Sequence, residues 1–288
     1  MILCLHFTLM FAVKTLPEAD YPFAVDLANT MNWNMAIEDF EFMASLEPDS
    51  CLLLLDDTKQ AGIATCISYG KIGWFGNLIV EESYRNRGAG TALVTHAIKQ
   101  LYAKGVETVG LYAYRHLAGF YEKLGFKVDK DFAVLEAKAL QAIKADMLPK
   151  IGAQQLLEII SFDSEYFGGN RHKLLESIIC TESNASFYVS KNHGVVGYVA
   201  ATIYESMAWL GPLICAPSRY DIALPLIKAA LSEMTGRDVF AVLPKTEVAL
   251  LEAFWGFGFR ETFSVSRMFL GKAPAKNCIY MAESLERG

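Results

Sequence analysis

One stretch of this chain is written twice. Tyr69-Gly70-Lys71-Ile72-Gly73-Trp74-Phe75-Gly76-Asn77-Leu78-Ile79-Val80 lies against Tyr204-Glu205-Ser206-Met207-Ala208-Trp209-Leu210-Gly211-Pro212-Leu213-Ile214-Cys215, with Tyr, Trp, Gly, Leu and Ile coinciding at one constant spacing. Further on, Phe120-Tyr121-Glu122-Lys123-Leu124-Gly125-Phe126 lies against Ala253-Phe254-Trp255-Gly256-Phe257-Gly258-Phe259, with the offset shortened as a small deletion between the blocks would leave it. A repeat on this scale forces both halves toward the same fold. Two domains are also what 288 residues predict at roughly 150 residues each.

The local patterns agree with a duplication, because each half shows short β-rich runs, a longer helix, another strand, another helix and a closing β region. In the first half, strands are expected near 11–16, 51–56, 62–68 and 74–80, with helices near 21–31 and 37–44. A loop follows, then a helix near 90–103, a strand 108–113, a helix 116–124 and closing strands to about Ala137. The polar, Ala-rich segment 138–152, ending in Pro149 and Gly152, reads as a linker. The second half predicts a helix at 171–182, strands at 186–190, 195–204 and 208–215, a helix at 223–234, a strand at 239–243, a helix at 247–254 and closing strands. The expected architecture is therefore α/β (α+β): two tandem domains, 1–137 and 153–288, each a mixed, largely antiparallel sheet flanked by helices.

Composition bounds the chemistry. Apolar residues make up 53% of the chain and charged residues 20%, which is globular rather than disordered. The net charge of -6, with Lys and Arg scattered, excludes a nucleic-acid partner held mainly by phosphate contacts. Cys4, Cys51, Cys66, Cys180, Cys215 and Cys278 form no closely spaced pair and mostly sit in apolar runs, like reduced buried thiols. His6, His96, His116, His172 and His193 make no ligand pattern, so no metal is expected. The apolar run Met1 to Val13 lacks a basic n-region and a cleavage site, and no run reaches membrane-spanning length. The reading is a first strand with an upstream extension, in a cytoplasmic protein with no membrane partner. No motif encodes the oligomeric state.

The chemistry concentrates between the strand ending at Val80 and the helix beginning near Gly90, in Arg85-Asn86-Arg87-Gly88-Ala89-Gly90-Thr91. A helix start offers unpaired N–H groups and the positive end of a dipole, together an anion site. Gly88 and Gly90 carry no Cβ, so a diphosphate can come close to the backbone. Arg85 and Arg87 add permanent charge, and Thr91 can donate a hydroxyl hydrogen bond. Neither the Gly-Lys-Ser/Thr of a P-loop nor the three-glycine dinucleotide fingerprint is present.

Arg85, Gly88 and Gly90, preceded by a strand and followed by Phe120-Tyr121-Glu122-Lys123-Leu124-Gly125-Phe126, resemble the fingerprint of the GCN5-related N-acetyltransferase (GNAT) superfamily over about residues 11–137. The resemblance implies a sheet splayed beside the fourth strand, with acetyl-coenzyme A as cofactor and its pantetheine arm along Leu78, Ile79 and Val80. It places the pyrophosphate on Arg85, Arg87, Gly88, Ala89, Gly90 and Thr91, and backbone N–H groups near Leu78 against the thioester carbonyl. An amine then attacks directly, and Tyr121 matches the family's general acid, a role that suits a phenol with an ordinary pKa near 10. Histone-type relatives carry an acid on this strand where Trp74 stands, and many have an Asn upstream of the tyrosine where Tyr114 stands. Glu81 and Glu82 are then the nearest candidates to take a proton, and Trp33, Asn34 and Glu81 the candidate acceptor contacts.

The second copy departs from this pattern twice: Ala216-Pro217-Ser218-Arg219-Tyr220-Asp221 holds no glycine, and Phe254, which cannot donate a proton, stands at the tyrosine's position. It reads as a degenerate, non-catalytic copy. Trp74, Trp209, Tyr69 and Tyr204 read as core, with a cleft lining as the alternative. The expectation is an acyl-coenzyme A dependent N-acyltransferase for a small-molecule or peptide amine. The alternatives are a coenzyme A sensor with vestigial turnover, or a two-copy acyltransferase like mycothiol synthase, which would require the second phosphate loop.

Overall fold

A computed structural model describes residues 11–192 and 194–288. Cys4, His6, His193 and most of the apolar N-terminal run lie outside the described residues. The first half runs β1 (Phe11–Thr15), α1 (Tyr21–Asn29), α2 (Ile37–Leu46), β2 (Cys51–Asp56), β3 (Lys59–Ser68), β4 (Ile72–Val80), α3 (Ala89–Ala103), β5 (Thr108–Tyr114), α4 (Ala118–Glu122) and β6 (Lys127–Ala137). The second runs α5 (Ala153–Phe167), α6 (His172–Ile179), β7 (Ala185–Lys191), β8 (Gly194–Ile203), β9 (Met207–Cys215), α7 (Tyr220–Ser232), β10 (Asp238–Pro244), α8 (Val248–Gly256), β11 (Arg260–Leu270) and β12 (Ile279–Met281). Among the described residues no helix is long and apolar enough to cross a membrane.

Helix α5 is absent from the sequence expectation. Its buried face is Leu156, Ile159, Ile160, Asp163 and Phe167, a helical spacing broken by one carboxylate. That carboxylate is buried too, so polarity and burial disagree at the one position that would have completed the stripe.

Among the described residues all the strands join one 12-stranded sheet in the order β1-β2-β3-β4-β5-β11-β6-β10-β9-β8-β7, with β12 on β9. The halves therefore do not close separately. Each was expected to complete its own sheet, but β11 of the second half pairs with β5 of the first, and β6 of the first pairs with β10 of the second. The exchanged strands pair with each other antiparallel from Arg260↔Glu136 to Phe269↔Lys127. Every central strand must pair on both sides, a requirement that a closing strand from either half can meet, and here β5 and β10 are each completed by the other half's strand with no edge left at the centre.

All other pairings are antiparallel except β4 with β5 and β9 with β10. Both parallel pairings are short. Ile72 to Phe75 pair with Thr108 to Leu111, after which β4 and β5 diverge. In the same way Met207 to Leu210 pair with Asp238 to Ala241, after which β9 and β10 diverge. The duplication thus builds two splays.

One face of the sheet carries a single core that gathers residues of α1, α2, α5 and α6 with Trp74 and Tyr198. The opposite face carries two cores, one under α3 and α4 and one under α7 and α8. Within the shared core Asp163 and Arg171 are fully buried and paired, Arg171 Nη2 donating to Asp163 Oδ2 at 2.6 Å. Tyr198 also donates to Asp163, Arg171 Nη1 donates to the Gly288 backbone oxygen at 2.8 Å, and the guanidinium lies 4.0 Å over the Phe167 ring. Breaking such a pair from one side leaves an uncompensated buried charge. Asp163→Ala is expected to cost about 3–5 kcal/mol, seen as a lower urea midpoint at unchanged slope; a midpoint equal to that of the wild type would contradict the assignment.

Candidate active site

The two splays differ in what lies along them. In the second, β12 pairs with β9 through Ile279↔Cys215, Tyr280↔Ile214 and Met281↔Leu213. The chain then continues against β10, where the Ala282 N–H donates to the Val242 carbonyl at 3.0 Å. A Cβ on Gly211 would stand 1.9 Å from the Ala282 oxygen. The second groove is therefore filled by the chain itself.

In the first splay, no strand among the described residues pairs with the β5-facing edge of β4 beyond Phe75. Leu78, Ile79 and Val80 lie on that stretch, and Arg85 Nε donates to the Val80 carbonyl at 3.0 Å. A bulge sits in the same place: Ile63 and Thr65 of β3 face Ile79 and Gly76 of β4, and Asn77 between them has a φ of 48°. Asn77 Nδ2 is buried without a hydrogen-bond partner. An open strand edge beside an unpaired buried donor is what an extended, amide-bearing arm such as pantetheine can use.

The loop after β4 fits an anion by its backbone. Gly88 caps α3 with a φ of 87°, and nothing lies within 4 Å of the place where its Cβ would be. The amide N–H groups from Asn86 to Thr91 donate to no acceptor among the described residues. They gather at a helix N-terminus, where the dipole favours negative charge. Arg85, Arg87, Gly88 and Thr91 are exposed, whereas Ala89 is buried. A Cβ on Gly90 would touch the Phe120 ring at 3.4 Å, which ties the loop to α4.

Tyr121 lies on α4 and is 6% exposed, in the same cluster as Ala89, Leu93, Leu78, Val80 and Phe120. Its ring stands 4.9 Å from that of Phe120 and 5.9 Å from that of Phe126. Burial pushes the phenol well above its ordinary pKa, so it stays protonated through the neutral range. The structure thus gathers the strand edge, the loop and the tyrosine around one hydrophobic cluster.

The candidate acceptor residues separate. Trp33 Nε1 donates to the Tyr114 hydroxyl at 3.1 Å, and the Tyr114 ring stacks on His116 at 5.8 Å and leans on Phe263 at 5.4 Å. Phe263 comes from the exchanged strand β11, so the second half contributes to the first half's surface. Asn34 is exposed, with a φ of 50°. Glu81 lies elsewhere, in an open pocket with Lys14, Asp57, Lys59 and Tyr84. Glu82 is exposed.

The repeated aromatics also divide: Trp74 and Tyr69 are buried core, but Tyr204 is 47% exposed and Trp209 half-buried against Phe240. The sequence reading missed the C-terminal residues altogether. Trp74 Nε1 donates to the Leu285 carbonyl at 3.2 Å, and a Cβ on Gly76 would stand 2.5 Å from the Glu286 Cα. The only signal in the sequence was Gly76 itself, which the fold could have required for a turn just as well.

Comparison with known proteins agrees with the duplication. Residues 13–126 match a family model described as the acetyltransferase (GNAT) family, and residues 159–280 match a second, described as an acetyltransferase (GNAT) domain. A holothin acyltransferase from Pseudoalteromonas is 25% identical over 89% of this chain and 87% of its own length. The fold is similar to that of an acetyltransferase from Pyrococcus horikoshii, with a TM-score of 0.78 at 20% identity over 100% of this chain and 99% of that one. It is also similar to a tandem GNAT protein from the clavulanic acid biosynthesis pathway, with a TM-score of 0.60 at 13% identity over 93% of this chain and 100% of that one.

The loop geometry yields a direct test. Gly88→Ala forces a side chain into the left-handed region at about 1–2 kcal/mol, and Arg87→Ala removes one charge. Each is expected to weaken coenzyme A binding about tenfold in calorimetry; unchanged affinity in both would remove the loop from the site.

Proposed function

We propose that this chain, which belongs to the GNAT acetyltransferase family in both of its halves, moves the acetyl group of acetyl-coenzyme A onto the amino group of a small molecule or peptide, at the first half's splay. One observation carries the assignment. Of two equivalent grooves, the second is filled by β12, and the one left open is the one bordered by the glycine loop and Tyr121.

Acetyl-coenzyme A supplies the activated acyl group as a thioester. In this reading the amides of Asn86 to Thr91, with Arg85 and Arg87, hold the pyrophosphate, and the free edge at Leu78, Ile79 and Val80 holds the pantetheine arm. A β4 amide N–H near Leu78 faces the thioester carbonyl and stabilises the charge that develops on its oxygen, an effect strengthened where water is excluded. As the amine nitrogen bonds to the carbonyl carbon and the C–S bond breaks, the Tyr121 hydroxyl gives its proton to sulfur. Because burial also makes Tyr121 a weaker acid, the transfer follows the build-up of negative charge on sulfur and does not precede it.

The acceptor enters, on this view, past Trp33, Tyr114 and Phe263, whose ring faces suit a flat or apolar amine. The resemblance to an enzyme named a holothin acyltransferase supports an acyl acceptor other than water.

The phenol's role separates from mere packing by kinetics. Tyr121→Phe is expected to lower turnover about 100-fold while leaving acetyl-coenzyme A affinity within about twofold, measured as free thiol released with a panel of primary amines. Equal losses in binding and turnover would reject the acid role. Cofactor binding by the wild type without amine-dependent thiol release would mark a coenzyme A sensor instead.

A further inference from the structure

The fourth strand carries no carboxylate, yet one is delivered to it from the far end of the chain. On a strand, alternate residues face the same side, so Trp74 and Gly76 lie on one face of β4, the face covered by α1 and α2. The C-terminal turn is pinned there. The indole of Trp74 donates to the Leu285 carbonyl at 3.2 Å, the Tyr69 hydroxyl donates to the Arg287 carbonyl at 3.0 Å, and the Arg287 N–H donates to Ser284 Oγ at 3.1 Å. Glu286 leaves this turn directly over Gly76, where a strand side chain would otherwise stand: a Cβ on Gly76 would meet the Cα and Cβ of Glu286 at 2.5 Å.

The two glutamates of this segment are differently occupied. Glu283 is spent on Arg287, which donates from Nε at 2.9 Å and from Nη2 at 3.0 Å to its two carboxylate oxygens. Glu286 is paired less fully: its Oε1 lies 2.6 Å from Arg287 Nη1 as an ion pair, without the two-pronged hydrogen bonding that Glu283 has. The groups facing it are Arg287 and Glu283 of the same segment, Asp39 of α2 and Tyr204 of the second half. Three carboxylates against one guanidinium leave this corner negative, which favours an approaching ammonium group.

We propose that Glu286, carried by the second half, is the catalytic carboxylate that takes the proton from the acceptor amine at the first half's site. This rests on the reading that the first half transfers an acyl group to an amine. The ammonium gives one N–H proton to Glu286, and the neutral nitrogen then forms the C–N bond as the C–S bond breaks. Tyr121 protonates the leaving sulfur, and the second N–H proton restores Tyr121 through solvent. Burial and the neighbouring Glu283 raise the Glu286 carboxyl above its ordinary pKa, which brings it closer to the range where a base works best.

The test follows thiol release from acetyl-coenzyme A with tyramine, with putrescine and with a tetrapeptide, across pH, for wild type, Glu286→Gln and Glu286→Asp. Glu286→Gln is expected to lower kcat about 100-fold near neutral pH, to flatten the acid limb of the kcat/KM profile, and to leave acetyl-coenzyme A affinity and Tm unchanged. Glu286→Asp should keep part of the rate and a shifted acid limb. If Glu286→Gln melts early, the Glu286→Asp limb decides: an unshifted limb at wild-type rate overturns the proposal. Wild-type rate and pH profile in a stable Glu286→Gln protein would overturn the carboxylate's role while leaving acyl transfer in place. No thiol release from the wild type would overturn both readings.

Discussion

The exchange of closing strands is the constraint on which the rest of the molecule depends. A strand in the middle of a sheet must find partners for its N–H and C=O groups on both sides. Here β5 finds one in β11 and β10 finds one in β6, and the two exchanged strands also pair with each other. The two halves therefore share one backbone ladder and, on one face, one apolar core. They are two domains by descent and one sheet by hydrogen bonding.

That exchange also decides where the end of the chain goes. Strand β11 deposits the polypeptide on the first half's side of the centre, and the following segment crosses back to β9 as β12. Residues 282 to 288 then run from Gly211 of one splay to Gly76 of the other. The same glycine is kept in both copies, and in both it clears a path for this one segment. In the second splay the segment fills the space beside β9; in the first it lies beside a strand edge that stays open. Of the two splays, one keeps an open strand edge and the other takes up this segment as an internal brace, which Asp163 and Arg171 hold from beneath.

The electrostatics follow from the same geometry. Charges that would be solvated on separate domains, such as Glu283, Glu286 and Arg287, are enclosed where the halves meet, so each must be paired or shifted in pKa. Tyr121 lies apart from this corner, among apolar neighbours alone, and its pKa rises through desolvation without any charged partner. Acidic and neutral groups are thus segregated to two sides of β4.

Much of this was legible without coordinates. The duplication follows from two aligned blocks, the strands and helices around β4 from local periodicity, and the glycine loop opening a helix from Gly88 and Gly90, because all of these are short-range patterns. The second copy's departures from the pattern were likewise written in Phe254 and in the loop without glycine after Cys215. Helix α5 escaped because a buried, paired Asp163 interrupts its apolar stripe. Only the tertiary structure decided which sheet each closing strand joins, what fills the second groove, and that Glu286 stands over Gly76. Strand pairing and ion pairing between residues far apart in the chain depend on which surfaces meet, and a linear pattern that repeats in both halves fits either partner equally well.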